Sequence, residues 1–323
     1  MISQQSCKLK DEYVEDPIIP SDPGTGMWFV GQCITGGEAR YVKGKIINGI
    51  QYAFIANSSA GISVVNISNA ANPTLASAYQ TNGFTKEVFI DTVNTVNYVF
   101  VSDTVKGLYI LNASNPNLLT LDTLISYTGV NSVNRKNNYL FVALTNGNVK
   151  VLNISQLPAS VTEVTTYNTP NIVTHIEISN NTAYFVENIT GLELVNISNP
   201  INLVQYSTFH SPGSCNDIKI AGNLVYVADG NAGISIINVS NPNQPYFVNS
   251  TNTETNVRNI DYSPNFLFVA EGSQGVEVLN VFNTVSPEYV GYYNPESYCY
   301  SVNYFKTKVL VANGNGGLLI LRF

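Results

Sequence analysis

The phrase Gly61-Ile-Ser-Val-Val-Asn66-Ile-Ser68 recurs along the whole chain of 323 residues. Close copies begin at Gly107, Gly191 and Gly233, and looser copies end at Asn153, Asn280 and Arg322. The asparagines of this phrase lie at positions 66, 112, 153, 196, 238 and 280, so the period is 41 to 46 residues. A repeat of that length with strand-like content predicts a β-propeller or a solenoid.

Residues 215–250 show the content of one repeat. The run Leu224-Val-Tyr-Val-Ala228 is apolar at every position, which is typical of a strand covered on both faces. The turn Gly222-Asn223 precedes this run, and Asn241-Pro242 separates a third strand from a fourth. Four short antiparallel strands joined by such turns form one propeller blade.

The turn between the second and third strands gives the number of blades. Its last position holds Gly61, Gly107, Asn148, Gly191, Gly233, Gly275 and Gly317. Its first position holds Asn57, Asp103, Leu144, Glu187, Asp229, Glu271 and Asn313, which we interpret as turn caps, apart from Leu144, rather than as metal ligands. The chain is therefore predicted to be an all-β, seven-bladed propeller of four-stranded antiparallel blades.

The last repeat ends at Phe323 without a fourth strand. Met27–Cys33 resembles Pro287–Tyr293, the fourth strand of the preceding repeat. We therefore predict that this N-terminal strand completes the C-terminal blade, which joins the ends of the ring and removes its open edges. Residues 27–323 are predicted to form the propeller, and residues 1–26, with three prolines, an extended tail.

These repeats resemble the LVIVD-repeat propellers. The resemblance rests on Val225-Tyr-Val-Ala-Asp229, Gly233-Ile-Ser-Ile-Ile-Asn238 and Ser240-Asn-Pro242, and it covers roughly residues 27–323. The last acid of the family motif is replaced by Asn in six repeats and by Arg322 in the seventh. The resemblance implies a bacterial or archaeal surface or secreted protein of undefined role.

The amino-acid composition limits which partners and which cellular locations we expect. Charged residues make up 11% of the chain, against about 25% in an ordinary soluble domain, and the net charge is -7. An acidic chain without a Lys/Arg cluster argues against nucleic acid as a partner. No apolar stretch reaches the roughly 18 residues of a membrane span. We expect an extracellular or cell-surface protein, and the start at Met1 leaves a cytoplasmic location open.

The first strand of each blade is expected to line a central channel. Its polar residues bring His175, Asp217, Arg258, Asn259 and Tyr300 towards one mouth of that channel. These residues predict either a hydrated channel wall or a ligand site, because propellers and other barrels bind ligands at their mouths. The sequence predicts no metal site and no cofactor.

Nine sequons make Asn57, Asn66, Asn112, Asn153, Asn180, Asn188, Asn196, Asn238 and Asn249 candidate glycosylation sites. Five of them are repeat asparagines, whose amides we expect to replace the family Asp in a turn hydrogen bond, so Asn180 and Asn249 are the freer acceptors. Among four cysteines, Cys7 and Cys33 are the better disulfide candidates. Cys215 and Cys299 hold equivalent places two repeats apart, too far for a bridge.

The stock of catalytic residues is small. The two histidines, His175 and His210, stand in no zinc or triad motif. We therefore expect a non-catalytic structural, assembly or interaction propeller whose partners are copies of itself or other surface proteins. The alternative is a glycan-binding or glycan-cleaving propeller, because aromatic faces stack on sugars and we expect Tyr292, Tyr293, Tyr298 and Tyr300 to cluster near one mouth of the channel. An intracellular scaffold is a third hypothesis.

Overall fold

The computed structural model describes residues 26–187, 190–253, 255–284 and 286–323. The predicted tail before Gly26, including Cys7, and the sequon at Asn188 lie outside these ranges. The described residues form seven four-stranded antiparallel sheets, each with its strands in sequential spatial order. The predicted all-β propeller with seven blades is confirmed.

The strands have the following bounds. β1 (Trp28–Cys33) precedes blade 1, which contains β2 (Tyr41–Ile47), β3 (Ile50–Ala56), β4 (Ile62–Asn66) and β5 (Thr74–Tyr79). Blade 2 contains β6 (Thr85–Val93), β7 (Val96–Asp103), β8 (Gly107–Asn112) and β9 (Thr120–Ile125). Blade 3 contains β10 (Val130–Lys136), β11 (Tyr139–Leu144), β12 (Asn148–Asn153) and β13 (Thr162–Asn168). Blade 4 contains β14 (Val173–Ser179), β15 (Thr182–Glu187), β16 (Gly191–Asn196) and β17 (Val204–Phe209).

The remaining blades follow the same plan. Blade 5 contains β18 (Asp217–Ala221), β19 (Leu224–Ala228), β20 (Ile234–Asn238) and β21 (Tyr246–Thr251). Blade 6 contains β22 (Asn259–Ser263), β23 (Phe266–Ala270), β24 (Val276–Asn280) and β25 (Glu288–Tyr293). Blade 7 contains β26 (Ser301–Phe305), β27 (Lys308–Ala312) and β28 (Leu318–Arg322), with β1 as its fourth strand.

The apolar core lies between the blades. The two middle strands of each sheet are buried on both faces, as their continuous apolar sequences predict. Their side chains form seven clusters, and each cluster joins two neighbouring blades. One of these clusters packs Cys33 and Val42 against Leu310, and thereby joins blade 7 to blade 1.

The N-terminal strand closes the ring. β1 pairs antiparallel with β28, from Trp28 opposite Arg322 to Cys33 opposite Leu318. Met27 and Cys33 are buried in the clusters on the two sides of blade 7. The predicted closure is therefore confirmed, and the first and last strands of the propeller stabilise each other.

Every outer strand carries a β-bulge at the same place. The register skips one residue between positions 29 and 31, and likewise between 75 and 77, 121 and 123, 163 and 165, 205 and 207, 247 and 249, and 289 and 291. A bulge bends an edge strand and interrupts its hydrogen-bonding row. The rim of the propeller is thus protected against edge-to-edge pairing with other sheets.

The closure can be tested with two truncations. Removal of residues 1–34 takes away β1 with buried Met27 and Cys33, and exposes β28 as an edge. We expect the free energy of unfolding to fall by several kcal/mol, from lost burial and strand pairing. Thermal and urea unfolding measure this, and a chain lacking only residues 1–25 is the control because it keeps β1. Equal stability of the two truncated proteins would contradict the closure.

Candidate functional site at the channel mouth

The channel is walled by the first strand of each blade. β2, β6, β10, β14, β18, β22 and β26 contact one another in that order, and β26 contacts β2, so the ring is complete. Each of these strands stands at one end of its sheet, so the edge that faces the channel has no strand partner. Its backbone N–H groups need other acceptors, because buried backbone donors are rarely left unpaired.

Side chains of the preceding blade supply those acceptors. The bonds run from the N–H of Ile176 to Ser132 Oγ (3.2 Å), of Ile260 to Asp217 Oδ2 (3.1 Å), of Val302 to Asn259 Oδ1 (2.8 Å) and of Val42 to Ser301 Oγ (3.1 Å). Two residues deeper, Tyr304 N–H donates to Asp261 Oδ2 and Gly44 N–H donates to Asn303 Oδ1. The polar positions of the channel therefore join one blade to the next.

Blades 2 and 4 use the same position for charged groups. His175 Nδ1 lies 3.3 Å from Glu87 Oε2, and His175 Nε2 lies 3.3 Å from Asp217 Oδ1 and 3.6 Å from Glu177 Oε2. Burial lowers the pKa of His175, but the charges of Glu87 and Asp217 outweigh burial and raise that pKa to about 10. His175 is thus a cation at neutral pH that three carboxylates surround.

A lysine adds a second positive charge to this cluster. Lys219 Nζ lies 3.9 Å from Asp217 Oδ1. Burial opposes the positive charge of Lys219, but Asp217 and Glu177 raise its pKa well above the ordinary value. Burial raises the pKa of Glu177 in turn, yet Lys219 and His175 lower it to about 2. The inner channel therefore holds a network in which two cations face three carboxylates.

A stack of cations and aromatic rings lies above this network at the mouth. The rings of Tyr298 and Tyr300 have centroids 4.5 Å apart. The guanidinium carbon of Arg258 lies 5.7 Å from the Tyr298 ring centre, and that of Arg40 lies 4.4 Å from the Tyr300 ring centre and 5.2 Å from the Phe84 ring centre. These contacts hold two guanidinium groups in place, since cation–π contacts are attractive at such distances.

Glu38 anchors the same stack at one end. Its carboxylate accepts hydrogen bonds from the Tyr300 hydroxyl at 2.5 Å and from Arg40 Nη2 at 2.8 Å. Burial raises the pKa of Glu38, but the hydrogen bonds of Tyr300 and Arg40 outweigh it and lower that pKa. Arg40 is thus paired with an acid, whereas the Arg258 side chain forms no hydrogen bond or ion pair with the described residues and is held by its contact with the Tyr298 ring.

These residues surround a cavity of about 250 Å³. It is lined by Arg40, Tyr41, Lys86, Glu87, Thr174, His175, Asn216, Asp217, Arg258, Asn259, Tyr300 and Ser301. All five residues that the sequence placed at the channel mouth line it: His175, Asp217, Arg258, Asn259 and Tyr300. The structure thus brings them together, and whether they bind a ligand stays a prediction.

The sequence reasoning missed the contributions of blades 1 and 2. Arg40 and Lys86 occupy the place of Arg258, but they lie 17 residues before Asn57 and Asp103 (57 − 40 and 103 − 86), whereas Arg258 lies 13 residues before Glu271 (271 − 258). The cause is that β2 and β3 have seven residues each, against five in β22 and β23. An alignment that allows a longer hairpin would have found both cations.

The turn acids differ from the prediction. Asp103 caps its turn, where its Oδ1 accepts from the N–H groups of Val105 and Lys106. Asn57 instead donates to Ser63, and Asp229 accepts from Ser235, six residues further on in the third strand. The interpretation as turn caps was wrong for these two, because a serine faces each of them, whereas Tyr109 stands at that place in blade 2.

Blade 4 has carboxyl groups at both of these positions: Glu187 in the turn, and Glu193 six residues further on in the third strand. Both side chains are buried. Asn171 Nδ2 and the Thr190 hydroxyl donate to Glu187 Oε2, and the Tyr167 hydroxyl donates to Glu193 Oε1 at 2.6 Å. Burial raises the pKa of Glu193, the Tyr167 hydrogen bond lowers it, and the charge of Glu187 raises it again, to about 7. Glu193 therefore keeps its proton to a higher pH than an ordinary carboxyl group does.

The repeat asparagines form turn hydrogen bonds at the end of the third strand. Asn66, Asn112, Asn153, Asn196 and Asn238 each accept through Oδ1 from the N–H two residues later, at 2.9 to 3.0 Å. Asn57 is fully buried. Asn180 is exposed at a hairpin tip, and Asn249 is half-buried on β21. Glycosylation of any of these residues stays a prediction.

The cysteines and two tyrosines complete the comparison with the sequence. Cys215 and Cys299 are free and buried, as predicted. Cys33 is disulfide-bonded, but Cys7 lies outside the described residues, so their pairing stays a prediction.

Tyr292 and Tyr293 lie on the outer strand β25 rather than at the channel mouth. Their predicted clustering with Tyr298 was wrong, because Tyr298 belongs to the loop that leads into the next inner strand.

The fold and the channel define a seven-bladed β-propeller. It contains LVIVD repeats: the family model described as LVIVD repeat matches residues 41–81, 96–124, 130–169 and 212–253. No curated protein matches the chain. The crystal structure of the computationally designed Ika8 protein is similar over 93% of this chain and 100% of its own, with a TM-score of 0.64 and 9% identity, which supports the fold alone.

Two features are absent from the described part of the chain. No group of three or more His, Cys, Asp or Glu side chains there is arranged to hold a metal ion. No helix in the same ranges is long and apolar enough to cross a membrane.

The His175 network gives the stability a defined pH dependence. A histidine whose folded-state pKa is raised stabilises the fold fully below its unfolded pKa of about 6.5, and this contribution is lost as pH rises towards 10. We expect His175→Gln to lower the free energy of unfolding by about 3 to 5 kcal/mol at pH 6, and by much less at pH 10. Urea unfolding at several pH values measures the difference. The exposed His210→Gln variant is the control, and a pH-independent difference for His175→Gln contradicts the network.

The carboxyl pair of blade 4 predicts the opposite mutational effect. Because the folded-state pKa of Glu193 is raised, its contribution to stability is full below about 4.5 and is lost as pH rises through about 7. Glu193→Gln keeps the acceptor for Tyr167 and removes the charge. We expect this variant to match the wild type at pH 4 and to be more stable by about 1 to 3 kcal/mol at pH 8. The exposed Glu288→Gln is the control, and a variant less stable than the wild type at pH 8 refutes the pair.

Proposed function

We propose that this protein is a non-catalytic extracellular or cell-surface propeller that acts as an assembly or interaction subunit. The observation that carries the proposal is the use of the channel side chains. Asp217, Asn259 and Ser301 bond the next blade, and His175 is held among carboxylates. Groups that hold a ring together are poorly placed to exchange protons with a substrate. Contact surfaces are then the remaining functional parts of the molecule.

An aromatic rim supports a protein partner. Among the described residues, all large aromatic side chains classed as exposed belong to blades 5 to 7, namely Trp28, Phe29, Tyr246, Phe247, Phe282, Tyr289 and Tyr292. Phe282 is 80% exposed, at a position that holds Ser68, Ser114, Ser198 and Ser240 in other repeats. Aromatic side chains are enriched at protein interfaces. This one-sided distribution favours contact through one part of the rim.

We infer that the N-terminal tail takes part in these contacts. The chain reaches the propeller beside the aromatic rim, because a methyl group at Gly291 of β25 would lie 3.0 Å from the Cα atom of Gly26. The bulges of the outer strands disfavour direct pairing of two propellers edge to edge. An extended tail of residues 1–26 that lies on the aromatic rim of a neighbouring copy offers a different route to an array or filament.

A second candidate is glycan binding at the channel mouth. The observation that favours it is the cavity with ring faces and hydrogen-bonding side chains from six blades, including Thr174, Asn216 and Tyr300. Small-ligand sites are concave and carry a few polar groups that fix the ligand. Glycan cleavage is the less favoured form, because Glu87 and Asp217 are both engaged by His175.

The assembly proposal is tested by electron microscopy and sedimentation of four proteins. We expect the full chain to form arrays or filaments, and a chain lacking residues 1–20 to remain single. Phe282→Ser restores the residue of other repeats, so it should weaken assembly at unchanged melting temperature. Leu118→Gln, which removes an exposed apolar side chain from blade 2, is the matched control. Single propellers for the full chain at all concentrations would refute the proposal.

A further inference from the structure

We propose that the channel mouth recognises a small ligand through an oxyanion, a carboxylate or phosphate group, that Arg258 and Lys86 bind together. The inference rests on the ligand-binding candidate above, names the chemical group that the mouth recognises, and requires no self-assembly. It is carried by two cations that border the same cavity.

Arg258 has the properties of an anchoring residue. Its side chain is exposed to the cavity and forms no hydrogen bond or ion pair within the described ranges, in contrast to Arg40 with Glu38 and Arg135 with Asp91. The Tyr298 ring supports its guanidinium group from one side, and the stack from Tyr298 to Phe84 fixes that ring. A guanidinium group that is held on an aromatic face keeps its N–H edges for a bidentate carboxylate or phosphate.

Lys86 provides the second positive charge. Its Nζ donates to the side-chain oxygen of Asn131 at 3.3 Å and to the carbonyl oxygen of Thr174 at 3.1 Å, which are both neutral acceptors. Burial lowers the pKa of Lys86 to about 8, although Glu87 favours its charge. An ammonium group that is buried without a hydrogen-bonded carboxylate gains most from a bound anion, because the anion replaces the lost hydration.

The carboxylates of the cavity do not cancel these cations. Glu87 lies within 3.3 Å of His175, and Asp217 accepts from the Ile260 N–H and the Asn259 amide while it also faces His175. In the lining of the cavity, these two carboxylates face four cations, of which Arg40 is paired with a further acid, Glu38, so positive charge remains. The net charge of the protein is -7, yet the outermost layer of this cavity carries positive side chains.

The size of the cavity limits the ligand. A volume of about 250 Å³ is below the range of about 300 to 1,000 Å³ for pockets that take drug-sized molecules. The site thus fits one acidic sugar ring, a small polycarboxylate or a phosphate group. The acidic sugar would use Thr174 and Asn216 as hydrogen-bonding partners for its hydroxyl groups.

Isothermal titration calorimetry of the full chain tests the inference with four probes at low ionic strength: sodium glucuronate, sodium citrate, sodium phosphate and neutral glucose. We expect saturable binding of at least one anion and none of glucose, and weaker binding as salt is added. Arg258→Gln should weaken that binding at least tenfold. Arg322→Gln, the same substitution at the exposed arginine of β28, should leave anion binding unchanged.

The outcomes separate this inference from the candidate on which it rests. Preference for glucuronate supports an acidic sugar, and preference for citrate or phosphate supports a free anion; both support an oxyanion site. Binding of glucose as tight as that of glucuronate, insensitive to Arg258→Gln, overturns the oxyanion and leaves glycan binding in place. If no probe binds, the channel mouth is a site neither for an oxyanion nor for a glycan. Should Arg258→Gln fail to fold, Arg258→Lys keeps the charge without the fork and must still weaken binding.

Discussion

The unpaired inner edge of each blade is the constraint on which the rest of this propeller depends. Seven first strands face the channel without a strand partner, and in blades 1, 4, 6 and 7 their N–H groups donate to side chains of the preceding blade, as in the bonds from Ile260 to Asp217 and from Val302 to Asn259. These bonds link the blades where the apolar clusters between them end. Polar residues in the channel are therefore required by the fold before any ligand is considered.

The same constraint explains where the few charges of the chain are placed. Only 11% of the residues are charged, yet Glu87, His175, Asp217 and Lys219 meet within one network inside the channel. Their mutual attraction offsets the loss of hydration on burial, which holds only while the protonation states match. Blade stability is thus coupled to pH through the channel, and buried Glu193 of blade 4 couples it with the same sign, because both folded-state pKa values are raised and both contributions are lost as pH rises.

Sequence reasoning reached the features that the repeat itself encodes. The period gave seven blades, and the likeness of Met27–Cys33 to Pro287–Tyr293 gave the closing strand, because strand positions covered on both faces show in any single repeat. It failed where the role of a residue depends on a partner across a turn or on the length of a strand. The partners of Asn57 and Asp229 lie across a turn, and Arg40 and Lys86 were displaced by a longer hairpin. Spatial pairs of this kind are not visible in a period.

Departures from the repeat identify functional surfaces better than the repeat does. Ser, Asn and Asp satisfy the inner edge, and neither Arg258 nor Tyr300 serves as an acceptor for the next blade, so the fold does not explain why they border the cavity. A serine fits at the position of Phe282 in five other repeats, so the fold does not explain an exposed ring there either. These three residues belong to blades 6 and 7. They are therefore the residues at which we propose contacts at the mouth and on the rim.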